Sequence, residues 1–399
     1  MSTTRPPSSL AIRTGSFCDG TPAAARRNVT LLVEGDRITA IRPNDGPVPA
    51  DRTLEAACVV PGLINAHAHL EANGEPDLAS VIVLRTPLQR ALYAAQNARL
   101  ALQAGVTTVR DLGAADGTAI AVRDAVEKGE HPGPTIIPAG RALCMTGGHG
   151  FFMGRETDGP WDARKAVREQ RKAGAGVIKL IATGGVLTKG AVPGQDQLTE
   201  DEMRAAVDEA HTHGMRVGAH AIGTSGIKNA LRAGVDSIEH GHLLDDEAIA
   251  LFLERGTRLV PTLAAVTCIV ENAQNGTQPD FVVRKALELN ERAGENVRRA
   301  WRAGVRIAGG SDAGTPYNFH QNYAYEVELM VRVLGMAPLE ALHAATQSAG
   351  ELLGVEAGVL DTGRPADVLL LAGDAGTDVR ALRDPQAVIK AGAIVHQRA

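Results

Sequence analysis

Short apolar runs alternate with amphipathic helical stretches from residue 59 to residue 314, and no other feature limits the fold of this chain as strongly. Eight runs read as strands: 59–66 (VVPGLINA), 107–112, 134–140, 176–183, 216–223, 237–241, 258–263 and 306–314. Strands separated by helices cannot pair as hairpins; they mark a parallel sheet wound by crossover helices. The stretches between them, such as 88–105, 200–214 and 224–234, end at glycine, the residue best suited to the left-handed turn that stops a helix. Eight repeats close a (β/α)8 TIM-type barrel, and a doubly wound open sheet is the competing arrangement. Polar residues recur at strand ends around the whole series, where barrel active sites lie, and this favours the barrel.

A barrel of this kind needs about 250 residues, so 399 residues leave room for a second, small unit. Residues 1–57 read as short strands, with Gly35 and Asp36 marking a tight hairpin, and 356–399 return to the same style. The two ends are expected to form one small β-sandwich domain around a barrel at 58–355. Aromatic residues make up only 3% of the chain, so its core must be built from Ala, Val, Leu and Ile. The net charge of −5 comes without a basic cluster, so neither nucleic acid nor an anionic membrane is an expected partner. Four cysteines far apart in sequence form no Cys-x-x-Cys pair, which argues against a zinc ribbon or a disulfide framework. The opening MSTTRPPSSL lacks the layout of a signal peptide, and no apolar run reaches the roughly 20 residues of a membrane span. A soluble, cytoplasmic homo-oligomer is expected.

The first strand leads into His67 and His69, which a period of two places on one face. Strand four carries Lys179, strand five His220, strand six His240 and strand eight Asp312, with nothing comparable on strand seven. Taken singly, each histidine is more often core or surface than ligand, and Asp312 could cap a helix. Taken together on five strands, imidazoles and a carboxylate suit one or two divalent transition metals. Lys179 is the odd member, since an ammonium cannot ligate a metal and is costly to bury unpaired. His211 and His213 suit the end of a helix, and His131, His320, His343 and His396 suggest nothing stronger. His242, two residues after His240, is a candidate neighbour of the site.

An HAH after an apolar strand and Pro61-Gly62, a lysine on strand four, histidines on strands five and six, and GSDAGTP on strand eight resemble the amidohydrolase superfamily of metal-dependent hydrolases. TGGHG (146–150), KLIATGGV (179–186) and IEHGHLLDD (238–246) resemble the imidazolonepropionase-related group that holds Xaa-Pro dipeptidases, carboxypeptidase-like dipeptidases and ochratoxinase-type amidases. The resemblance implies that Lys179 is carboxylated to a carbamate bridging two metals, with zinc expected. His67, His69 and Asp312 would hold one metal, and His220 and His240 the other. It further implies amide hydrolysis by a hydroxide held between the metals, with Asp312 as base and then acid, and His149 in the glycine-rich loop as a substrate contact. The sequence departs from relatives after His220, where Ile222 replaces an aromatic residue or a second histidine, so an apolar acyl or aryl group is a candidate occupant there. Tyr317 could line the same mouth or lie in an exposed turn. Three readings stand: a peptidase or amidase for dipeptides and N-acyl amino acids, a hydrolase of lactams, carbamates or other small amides, and a catalytically silent scaffold.

Overall fold

The computed structural model describes residues 9–398. The first eight residues, which belong to the expected N-terminal unit and to the stretch read for a leader, lie outside that description. The chain begins with β1 (Ser9–Phe17), β2 (Arg26–Glu34), β3 (Arg37–Pro43) and β4 (Arg52–Pro61). Gly35, at φ 58°, makes the two-residue turn that sets Glu34 opposite Arg37, as the hairpin signal requires.

The apolar run at 59 is shared between two units. Val59 to Pro61 end β4, and the strand that begins the barrel is β5 (Leu63–Ala68). Gly62 separates them, packed so closely on Thr107 that a side chain there would overlap it. There follow β6 (Val106–Asp111), β7 (Thr135–Pro138), β8 (Ala142–Cys144), the short β9 (Gly154–Glu156), β10 (Val177–Ile181), β11 (Arg216–Ala221), β12 (Ser237–His240) and β13 (Arg258–Val260). All pair in parallel, in the orders β5-β6-β7 and β13-β12-β11-β10-β8-β9.

Two expected strands depart from a simple ladder. The third breaks at 139–141 and changes partner, so that β7 pairs with β6 while β8 pairs with β10. The eighth, 306–314, forms no continuous strand. It bridges Leu259 through Ile307 on one side and Ala68 through Ala313 on the other. The Asp312 amide donates to the His67 carbonyl at 2.8 Å and the His69 amide to the Ala313 carbonyl at 2.8 Å. Asp312 itself sits at φ 59°, a left-handed conformation that interrupts a ladder. Last joined to first in this way, the parallel strands are consistent with a TIM-type barrel and not with an open sheet.

The helices form where the pattern places them. Thr86 caps Pro87–Gln103 and Thr199 caps Glu200–Thr212, each in a reciprocal capping box with the third residue on. Among the described residues no helix is long and apolar enough to cross a membrane.

The chain closes with β14 (Val368–Leu371), β15 (Ala387–Lys390) and β16 (Ala393–Gln397). These join the N-terminal strands in one seven-stranded sheet, ordered β16-β15-β14-β4-β1-β2-β3. Strand alternation divides its side chains between two cores. Val59, Val368 and Leu370 pack with Leu10, Ile12 and Leu31 within the terminal unit, whereas Cys58, Val60, Leu369 and Leu371 pack into the barrel's cluster. The sheet therefore has one face of its own and lends the other to the barrel. Leu369→Ala is expected to cost roughly 2–5 kcal/mol of apparent stability, read from the denaturant midpoint; a loss under about 0.5 kcal/mol, the range of neutral surface changes, would show that this face carries no packing energy.

Candidate metal centre and active site

The backbone bonds that join 306–314 to β5 set the Asp312 carboxylate between two imidazoles. Its Oδ1 lies 3.3 Å from His67 Nε2 and 3.2 Å from His69 Nε2. The other nitrogen of each ring is already engaged: His67 Nδ1 meets Glu239 Oε2 at 3.0 Å, and His69 Nδ1 meets the Gly113 carbonyl at 2.9 Å. Protons on those Nδ1 atoms leave both Nε2 lone pairs facing Asp312 Oδ1, which is buried and has no hydrogen-bond partner. Three acceptors thus meet with no donor among them. A cation resolves the conflict, and ring nitrogens backed by carboxylate and carbonyl acceptors are how proteins orient histidines on metals. His67, His69 and Asp312 fit a transition metal on these grounds, their ligand atoms lying within 4.8 Å of one another.

The remaining expected residues arrive beside this trio. Lys179, on β10, is 2% exposed, and its Nζ stands 3.4 Å from His67 Nε2. His220 ends β11 and His240 ends β12, their ring centroids 4.5 Å apart, with His67 5.3 Å from His240. His240 Nδ1 is held by Thr262 Oγ1 at 2.7 Å, which turns Nε2 away from that hydroxyl. His240, Thr262 and Asp312 all have positive φ (72°, 48° and 59°), so three successive barrel strands end in strained backbone at one place. All six expected residues line one pocket.

The electrostatics favour the ligand-ready forms. Burial pushes His67 down to about 4, with the Lys179 charge adding to it, and holds His220 and His240 well below the ordinary imidazole value. Burial likewise lowers Lys179 to about 8. For Asp312 burial acts upward, but His67, His69 and Lys179 outweigh it and keep the carboxylate ionised. His69 is the exception: burial lowers it, yet contact with Asp312 raises it overall, so a proton competes for the place between them.

His149 lies in the loop after β8, and it is tethered there despite the glycines around it. Its amide donates to Gln197 Oε1 at 2.9 Å, and its Nδ1 meets Thr188 Oγ1 at 2.8 Å. Thr188 is itself fixed, because Lys285 Nζ donates to the carbonyls of Thr188 (2.9 Å) and Ala191 (2.5 Å). Thr188 Oγ1 also accepts from the Gly150 amide at 3.1 Å, and the His149 ring, fixed in this way, lines the pocket. His242 also lines the pocket, buried, and so does Ile222. Tyr317 does not; its hydroxyl pairs with Thr277 Oγ1. His320, set aside in the sequence, is buried and holds the Ala72 carbonyl at 2.9 Å, a structural task.

Sequence reasoning missed the layer beneath. Glu239 and Arg110, both fully buried, form an ion pair at 2.8 Å, and Arg110 also donates to the Ala66 carbonyl and Ser237 Oγ. Gly218 leaves room for them, since a side chain there would stand 2.8 Å from Glu239 Oε1. Strand seven, expected to be silent, supplies Thr262. The signal for Glu239 and Arg110 was present in charged residues inside otherwise apolar strands, SIEHG and TTVRDL.

Parallel strands consistent with a TIM-type barrel bring imidazoles and one carboxylate together, with a candidate metal site at His67, His69 and Asp312. The family model for the amidohydrolase family matches residues 58–395, and the chain belongs to that family of hydrolases acting on carbon–nitrogen bonds. It is 30% identical to ochratoxinase of Aspergillus niger over 93% of this chain and 82% of that protein. A Xaa-Pro dipeptidase crystallised with methionine bound in its active site superposes with a TM-score of 0.89 at 31% identity, covering 97% of this chain and 99% of that one. A prolidase in complex with N-methylphosphonate-L-proline gives a TM-score of 0.90 at 29% identity, over 98% of this chain and all (100%) of that one.

Because Glu239 neutralises Arg110 and orients His67 at once, Glu239→Gln should lower stability by roughly 3–5 kcal/mol, the cost of leaving one partner of a buried pair charged and alone. Chemical denaturation of the variant checks this; a wild-type midpoint would mean that Arg110 finds compensation elsewhere.

Proposed function

We propose that this chain is a binuclear metal-dependent amidohydrolase that cleaves the amide bond of a dipeptide or an N-acyl amino acid. Lys179 carries the reading. It is a lysine buried among imidazoles, and among the described residues no carboxylate comes within ion-pair reach of its Nζ. Carboxylation, in which the amine nitrogen bonds to the carbon of carbon dioxide and releases a proton, would convert the one cation in a ring of acceptors into an anion. His67, His69 and Asp312 would then hold one divalent ion, His220 and His240 the other, with the Lys179 carbamate between them and zinc the expected metal. Such ions, when bound, polarise a carbonyl and bring the pKa of water to about 7.

The chain's own groups then divide the remaining work. Asp312, set between His67 and His69, would accept a proton during attack and return it to the departing amine. His149, its Nδ1 satisfied by Thr188, donates from Nε2 to the substrate's carbonyl oxygen or terminal carboxylate. Phe152, Val186, Leu187, Ile222, Val266 and Ile269 give the pocket an apolar wall that suits an acyl or aryl group. The relationship to ochratoxinase and to a Xaa-Pro dipeptidase supports an amide substrate. Small lactams, carbamates or esters form the second reading, favoured by one observation: no arginine is among the residues lining the pocket to take a carboxylate.

In the same reading the barrel at 58–355 is the catalytic unit, and the sheet from both ends is the small β-sandwich unit that supports it, in a cytoplasmic protein. The exposed run Leu84, Leu88 and Leu92 supports a homo-oligomer.

Release of free amine by metal-loaded protein across dipeptides, N-acyl amino acids, carbamates and lactams tests the function. Turnover confined to the last two classes would reverse the order of the two readings. Elemental analysis should give near two equivalents of metal per chain; full activity with one would remove the binuclear part. Asp312→Asn should keep metal and lose about 10²-fold to 10⁴-fold in kcat, and a variant within a few-fold of wild type would take the proton from Asp312. Lys179→Ala should lose metal and activity together and recover partly with added acetate, whereas an unmodified amine in the active, metal-loaded protein would refute the carbamate. For His149→Ala the expected change is a raised KM at constant metal content, and unchanged kinetics over the panel would leave the ring without a substrate contact.

A further inference from the structure

None of the four cysteines takes part in the site at the barrel mouth, and all four are free and buried. Two of them, distant in sequence, are brought together by the terminal sheet. The parallel register of β1 on β4 sets Ser16 opposite Cys58, and the Cys18 amide donates to the Val59 carbonyl at 3.0 Å, so Cys18 lies two residues on along the same face. Asp374, in the turn after β14, completes a cluster in which one ligand atom from each of Cys18, Cys58 and Asp374 lies within 4.8 Å of the others. Both thiols are essentially closed to solvent, and the Asp374 side chain is 22% exposed.

A fourth polar group stands beside the cluster. Ser16, opposite Cys58 in the register, is 1% exposed, and its hydroxyl lies within hydrogen-bonding reach of both sulfurs and the Asp374 carboxylate. The backbone also crowds in: Gly376 donates to Asp374 Oδ1 at 3.0 Å, and a side chain there would stand 3.2 Å from Cys18 Sγ.

We propose that Cys18, Cys58 and Asp374, with Ser16 at the fourth position, form a second metal site, structural rather than catalytic, for a thiophilic divalent cation such as zinc. Two sulfurs and two oxygens around one point are a donor set for a tetrahedral ion, and thiolates select zinc over magnesium or calcium. The charges balance. Binding releases the two thiol protons to solvent, leaving two thiolates and one carboxylate against the ion's two positive charges, and Arg27, 2.8 Å from Asp374 Oδ2, neutralises the remaining one. Such an ion would pin the end of β1, the middle of β4 and the turn after β14 to one another.

The site is separable from the barrel mouth because the pocket there is lined by no cysteine and only the terminal cluster offers thiolates. The test uses the full-length protein, reduced and stripped of metal, with cobalt(II) alone as probe. The expected result is a thiolate-to-cobalt charge-transfer absorption that saturates at one equivalent per chain and is absent from the Cys18→Ser/Cys58→Ser variant, with one zinc equivalent fewer in that variant by elemental analysis. Asp374→Asn, which keeps both thiols, should weaken the cobalt signal's affinity at least about tenfold, the scale on which supporting residues act at metal sites. Cobalt uptake by the wild type without a charge-transfer band overturns the proposal, and that measurement stands whether or not the double variant folds. An intact mass of the isolated protein two hydrogens short, revealing a Cys18–Cys58 disulfide, overturns it as well.

Discussion

The backbone hydrogen bonds that join the last barrel segment to the first are the constraint on which the site depends. Asp312 N–H to the His67 carbonyl and His69 N–H to the Ala313 carbonyl fix two chain segments in register over a few residues. That register leaves the Asp312 carboxylate with two imidazole nitrogens as neighbours and no proton donor. The barrel could avoid the conflict by a small slip of the segment, but Gly310 shows how little freedom it has: a side chain there would stand 2.9 Å from the His67 amide nitrogen. Closure of the fold and assembly of the site are the same event.

Beneath that ring the interior carries a second, opposite problem. Arg110 brings a fixed positive charge into the barrel, and Glu239 cancels it while its other oxygen holds His67. One carboxylate thus connects the packing of the barrel interior to the tautomer of a histidine above it. Thr262 performs the corresponding task for His240, and Thr188, steadied by Lys285, for His149. In each case the polar partner comes from a different element than the histidine it orients, so orientation is set by tertiary structure and not by local sequence.

This explains what could be read from the sequence and what could not. The six residues of the ring stand out because each is polar at the end of an apolar run, and strand ends in such a fold point to one mouth. The hairpin at Gly35 and the helices that stop near a glycine were legible because their determinants are neighbours in the chain. Glu239 and Arg110 were equally visible as charges in apolar strands, but their meaning required knowing that β6 and β12 face each other across the interior. The partner change between β7 and β8 and the broken ladder of 306–314 left little mark on hydrophobicity, because Ile136, Pro138, Ala139 and Leu143 on either side of the first break and residues 307–314 around the second stay buried. The tethering of His149 depends on Lys285, far along the chain, which nothing in the glycine-rich loop announces.

The seven-stranded sheet imposes an order of events when the chain is made. β4 leads directly into the first barrel strand, yet one of its edges is covered only by β14, which lies near the other end of the sequence. A ribosome adding about 5–20 residues per second needs roughly 15–60 s to deliver the roughly 300 residues between them. Over that interval the edge of β4 and the apolar side chains of Val59 and Val60 await their neighbours. The nascent chain therefore carries an unpaired strand edge for most of its synthesis, and the final few dozen residues act as the latch that retires it.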